Sequence, residues 1–162
     1  MEASPIMQLS NIISSGSVLP NLKASSKRQL LQELANEGAR ITGIDAQVIF
    51  ETLLKREKLG STGLGQGIAI PHGKFASLDK VYGVFARLAT PVKFESVDDN
   101  PVDLVFLLLA PESAGADHLK ALARISRLLR DPEAVEKLRG TEDAAGLYAI
   151  LTEPSSSTSH AA

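Results

Sequence analysis

Gly60-Ser-Thr-Gly-Leu-Gly-Gln-Gly-Ile-Ala-Ile-Pro-His-Gly-Lys74 decides how the rest of this chain is read. Four glycines fall between Gly60 and Gly67, and they let the backbone turn tightly and bring N–H groups close to a ligand. Ile68, Ala69 and Ile70 read as a brief buried strand. Pro71 then stiffens the chain and Gly73 frees it, so His72 is expected on a short constrained pivot, with Lys74 following. An imidazole held this way suits a nucleophile or a ligand, but a glycine-rich hairpin whose histidine fills space would look the same.

Outward from this stretch, the chain has the size and composition of one domain. It has 162 residues, of which 44% are hydrophobic and 22% charged, with a net charge of −2. The near-neutral balance argues against bulk nucleic-acid binding, which needs a basic surface. With no cysteine, disulfides, thiolate metal sites and a cysteine nucleophile are excluded. No apolar run reaches membrane-spanning length, and no basic-then-apolar leader opens the chain, so a cytoplasmic location is expected.

Residues 1–8 read as a flexible N-terminus, 9–152 as the domain, and 153–162 (EPSSSTSHAA) as a disordered tail in which His160 is given no role. Leu9 to Ile13 suits a helical turn, and Val18 to Leu22 a strand confined to a sheet edge by Pro20. Ser25 or Ser26 caps an expected helix from Lys27 to about Ala39. Asp45 caps a second from Ala46 to about Lys58, with Ala46, Ile49, Phe50, Leu53 and Leu54 on one face. Arg56 falls on the flank of that stripe and Glu57 near its centre. Either the helix end frays into water there, or these charges serve a pocket. Val81 to Leu88 reads as a strand, Thr90 to Phe94 as a turn into a short extended piece, and Ser96 to Pro101 as a polar loop. Val102-Asp-Leu-Val-Phe-Leu-Leu-Leu-Ala110 is the most strongly apolar stretch, as for a strand buried on both faces. Asp117 is the expected N-cap of a helix from His118 to Arg130, and shorter helices follow at 133–138 and 142–151. Helices interleaved with strands predict an α/β fold with a central mixed β-sheet flanked by helices.

Several chemistries fail on spacing. Gly67 to Gly73 encloses five residues where a P-loop needs four, and Phe75 stands where that motif has a hydroxyl. Gly63 to Gly67 is GxGxG, which misses the dinucleotide fingerprint. His72 and His118 lie too far apart for a short-spaced zinc motif and lack an obvious third ligand, so neither metal nor cofactor is expected. No G-x-S-x-G elbow presents a serine. What remains is His72 as a nucleophile towards phosphorus. Its imidazole would be about three-quarters neutral at pH 7, and an arginine fork is shaped to meet phosphoryl oxygens.

Residues 56–74 (REKLGSTGLGQGIAIPHGK), with Asp117-His-Leu-Lys120 beyond them, resemble the enzyme IIA domains of the mannitol/fructose class of the bacterial phosphoenolpyruvate-dependent phosphotransferase system. The likeness runs from about Leu9 to Leu151, with Leu59, Leu64 and Gln66 as mild variants, and is nearest to the stand-alone nitrogen-regulatory branch. The resemblance implies that His72 takes a phosphoryl group from a histidine phosphocarrier protein of the HPr/NPr type. It also implies that Arg56 and His118 complete the catalytic set, and that the phosphorylation state regulates nitrogen- or potassium-related partners. Ser61 and Thr62 are further candidates for hydroxyl donors in the phosphoryl pocket, though turn chemistry accounts for them equally well. The alternative is a fructose or mannitol transport component that passes phosphate to a IIB protein. A third is a docking module that has lost phosphotransfer.

Overall fold

A computed structural model describes residues 8–113 and 115–153; the expected loose start and disordered tail, His160 included, lie outside these apart from Gln8 and Glu153. After a 3-10 turn at Leu9–Asn11, the chain runs β1 (Val18–Leu22), α1 (Lys27–Thr42), α2 (Ala46–Leu59), β2 (Gly63–Gly65), β3 (Ile68–Ala69) and β4 (His72–Phe75). It continues as β5 (Tyr82–Val92), β6 (Val102–Pro111), α3 (Gly115–Arg130), α4 (Pro132–Arg139) and α5 (Ala144–Thr152).

The strands form one mixed sheet in the order β1-β5-β6-β3-β2, with β4 also pairing β6. β6 runs antiparallel to β5 but parallel to β3 and β4. Along β6, Ile68 and Ala69 sit opposite Leu104 and Val105, and His72 to Phe75 sit opposite Leu108 to Pro111. β3 and β4 are thus two pieces of one line, interrupted at Ile70–Pro71. Pro71 has no N–H to give a ladder, although its carbonyl still accepts from Leu108 N at 3.0 Å.

The sheet separates two apolar layers. Leu104, Phe106, Leu108 and Ala110 of β6 pack with Ala121, Ile125 and Leu129 of α3 and with α4 and α5. Val105, Leu107 and Leu109 pack on the other face against Leu30, Leu31 and Leu34 of α1 and Ile49, Phe50 and Leu53 of α2. Each of these β6 side chains is fully buried, so each Val, Leu and Phe among them contributes roughly 1.5–3 kcal/mol of transfer free energy. β6 therefore fixes the position of both layers.

Several boundaries differ from expectation for local reasons. α1 continues to Thr42 because the left-handed Gly43 (φ 81°), not an earlier residue, ends it. β5 does not turn at Thr90; it runs on to Val92 with a register shift between Arg87 and Val92. The shift absorbs Pro91, which cannot donate to a regular ladder. α3 begins at Gly115, so Asp117 lies in the first turn and is not the N-cap. An acid there still meets the positive end of the helix dipole.

Candidate functional site

Arg56, His72 and His118 come from three elements and meet at the edge strand β4. Successive residues of β4 alternate faces: Gly73 and Phe75 are buried, while His72 is half-buried and Lys74 exposed. Phe75 joins the layer of α1 and α2, so His72 and Lys74 look towards α3. His72 is therefore on a strand and not on an isolated pivot, and its rigidity comes from the β6 ladder. Gly73 lets α2 approach closely, since a Cβ there would lie 2.9 Å from Thr52 Cγ2. Arg56, one turn further along α2, reaches past the strand edge to the imidazole.

The contacts fix the imidazole's tautomer. His72 Nδ1 lies 2.9 Å from the Ile70 carbonyl, which only accepts, so Nδ1 carries the proton and donates. Nε2 keeps its lone pair and accepts from Arg56 Nε at 3.3 Å. Arg56 Nη1 donates to the Gly60 carbonyl at 2.9 Å, which anchors the guanidinium at its other end. The His118 ring stands 5.5 Å from that of His72, tilted by 54°. His118 is buried, and its Nδ1 has no hydrogen-bond partner among the described residues. A buried N–H without an acceptor is the costlier arrangement, so the proton belongs on Nε2.

Both histidines are held neutral at pH 7. Burial pushes His72 below its ordinary 6.5; the Ile70 carbonyl and Glu57 oppose the shift, and Arg56 and Lys74 reinforce it. Burial likewise lowers His118 to about 4, helped by His72 and Lys74. The site thus holds two uncharged imidazoles beside permanent cations, an arrangement that can accept an anionic group without first losing a proton.

α2 does not fray at its end; it continues through Leu59. Glu57 turns inward and is buried, with Oε1 3.1 Å from both Lys27 Nζ and Thr62 N. Its other oxygen accepts from the Thr62 hydroxyl. The Ser61 hydroxyl donates to the Phe94 carbonyl at 3.0 Å and accepts from Gly63 N at 3.0 Å. Both hydroxyls, the candidate donors to the phosphoryl pocket, thus meet protein acceptors in this structure. Turn chemistry accounts for Ser61, and Glu57 accounts for Thr62.

Two residues had no assigned place in the sequence reading. Lys74 shares the face of His72, and the period of two along a strand would have signalled it once His72 was placed on β4. Arg139 Nη2 donates to the Gln66 carbonyl at 2.6 Å and forms a two-point pair with Asp103 (2.9 and 2.8 Å), bracing the glycine turn from α4. A sequence separation of more than seventy residues hides that contact from any local pattern.

Among the described residues, no cluster of three or more His, Asp or Glu could hold a metal ion, and no helix is long and apolar enough to cross a membrane. The family description "Phosphoenolpyruvate-dependent sugar phosphotransferase system, EIIA 2" matches residues 11–153. A nitrogen regulatory protein of Bradyrhizobium diazoefficiens is 56% identical over 148 residues, spanning 91% of this chain and 97% of the relative. The crystal structure of nitrogen regulatory protein IIA-Ntr from Neisseria meningitidis superposes with a TM-score of 0.85 at 37% identity, covering 89% of this chain and 99% of that one. A fructose-specific EIIA component of Haloferax volcanii is 37% identical over 125 residues, which is 77% of this chain and 80% of that protein.

Proposed function

The chain belongs to the EIIA type 2 family of the phosphoenolpyruvate-dependent sugar phosphotransferase system, and from that premise we propose that it is a regulatory phosphoryl carrier acting through His72. The observation that carries this reading is the unprotonated Nε2 of His72: Ile70 O holds the proton on Nδ1, and the Nε2 lone pair meets Arg56 Nε at a long 3.3 Å. That lone pair attacks the phosphorus of a phosphohistidine on an HPr/NPr-type carrier. The new N–P bond forms as the donor's N–P bond breaks, and the electron pair leaves on the donor imidazole, which carries a proton on its other nitrogen and so departs neutral. No proton crosses between the proteins, because Nδ1 keeps its own against Ile70.

Arg56 meets the transferring group's charge in place of its present contact with Nε2, and Lys74 adds a second cation on the same face. His118 offers an N–H without adding charge. Leu59, three residues after Arg56, and Leu119, next to His118, are exposed and would give a docking carrier apolar area. The regulatory role rests on the name borne by the 56%-identical relative, and a cytoplasmic location beside the phosphocarrier is part of the same proposal. The fructose-specific relative favours a second reading, transfer to a IIB protein during sugar uptake.

Incubation with phosphoenolpyruvate, enzyme I and the phosphocarrier should give an acid-labile, base-stable label on the wild type and none on His72→Ala. Label that persists in His72→Ala would refute the assignment. Restored sugar uptake in a transporter strain lacking its own IIA would decide for the second reading.

A further inference from the structure

We propose that Glu57 and Thr62 form a latch that positions Arg56 against His72. The inference rests on the carrier reading above and deepens it at the same site.

Only three residues, Gly60, Ser61 and Thr62, join the end of α2 at Leu59 to the start of β2 at Gly63. Glu57 closes that short loop by accepting both the backbone N–H and the hydroxyl of Thr62, with Lys27 of α1 compensating its charge at 3.1 Å. Glu57 and Thr62 are 8% and 5% exposed, so the closure is shielded from competing water. The loop holds Gly60, and the Gly60 carbonyl is the acceptor that anchors Arg56 Nη1 at 2.9 Å. Arg56 is thus held at one end by the latched loop, while its Nε faces His72 Nε2 at 3.3 Å.

Opening the latch releases the carbonyl and with it the guanidinium's orientation. A long, rotamer-rich side chain then leaves the one geometry in which it meets the reacting nitrogen. Neither Glu57 nor Thr62 touches the transferring group; both act through Arg56.

The test is a double-mutant cycle of Thr62→Val with Arg56→Ala. His72 is titrated by NMR, which needs no donor, and labelling rates are measured in parallel. The charges acting on His72 are those of Arg56, Glu57 and Lys74, with the neutral His118 ring beside it. Arg56 is tethered through Gly60 and Glu57 through Thr62, and the Arg56→Ala background separates their two effects. Since the Arg56 charge lowers the His72 pKa, freeing the side chain should raise it.

In the wild-type background, Thr62→Val should raise that pKa and slow labelling about tenfold. In the Arg56→Ala background it should do neither, and Thr62→Ser should restore both. Should the valine variant melt below the assay temperature, Thr62→Ala removes the hydroxyl without adding a methyl and is read by the same criteria. An equal effect in both backgrounds, or no effect in either, overturns the latch. A wild type that takes no label refutes the carrier reading instead, and the titration still decides the latch.

Discussion

Acid should destabilise this domain in a way that one substitution removes. His118 is 5% exposed and its pKa is held at about 4, against an ordinary 6.5 once the chain unfolds. Between those values the unfolded chain binds a proton that the folded one excludes, so stability is complete above about pH 6.5 and falls as the pH drops. At pH 5 the unfolded imidazole is almost wholly protonated and the folded one about a tenth so, a difference of about 2 kcal/mol. Below about pH 4 the loss levels off at about 3 kcal/mol, the full separation of the two pKa values. Urea unfolding from pH 8 to pH 4 of wild type and His118→Gln measures this directly. His72 shifts in the same direction, but both proteins retain it, so their difference isolates His118. The wild type should lose about 2 kcal/mol more than the variant between pH 8 and pH 5. Parallel stability curves would mean that His118 is already solvated in the folded protein, and the picture of a dry, neutral imidazole facing His72 would fail.

Arg56→Ala should slow phosphoryl transfer by about ten- to a hundredfold, the worth of a lost charge-assisted hydrogen bond, with little change in melting temperature. Labelling rates beside thermal melts check this, and a collapse in melting temperature would make the residue structural. Lys74→Gln should raise the pKa of both histidines, because Lys74 lowers each; NMR titration reads both shifts. Gly73→Ala should push α2 away from β4, since its methyl would meet Thr52 Cγ2 at 2.9 Å. A loss of about 1–3 kcal/mol is expected in urea unfolding, together with slower labelling as Arg56 retreats from His72.

Much of the fold was legible because the strongest patterns are local. The apolar run 102–110 became the central strand β6, the α1 and α2 stripes became one layer, and the edge strand with Pro20 paired on one side only. The boundaries that moved depended on tertiary partners: β5 carries Pro91 because β6 accepts a register shift beside it. The same distinction holds at the site. Arg56, His72 and His118 are visible as unusual residues on their own elements, but their convergence is a property of β4 lying at an edge that helices from both layers can reach. The Glu57–Lys27 pair and the Arg139 brace were illegible, since neither partner's local pattern points to the other. The partners of Ser61 and Thr62 were illegible for the same reason: Phe94 is far along the chain, and no local pattern pairs Thr62 with Glu57.

The most direct test of the central claim is nitrogen-15 NMR of the protein after phosphorylation by the general carriers. Phosphorus bonded to Nε2 of His72, with Nδ1 still protonated against Ile70, is the predicted result. Phosphorus on Nδ1 of that ring, or on any other residue, would contradict it.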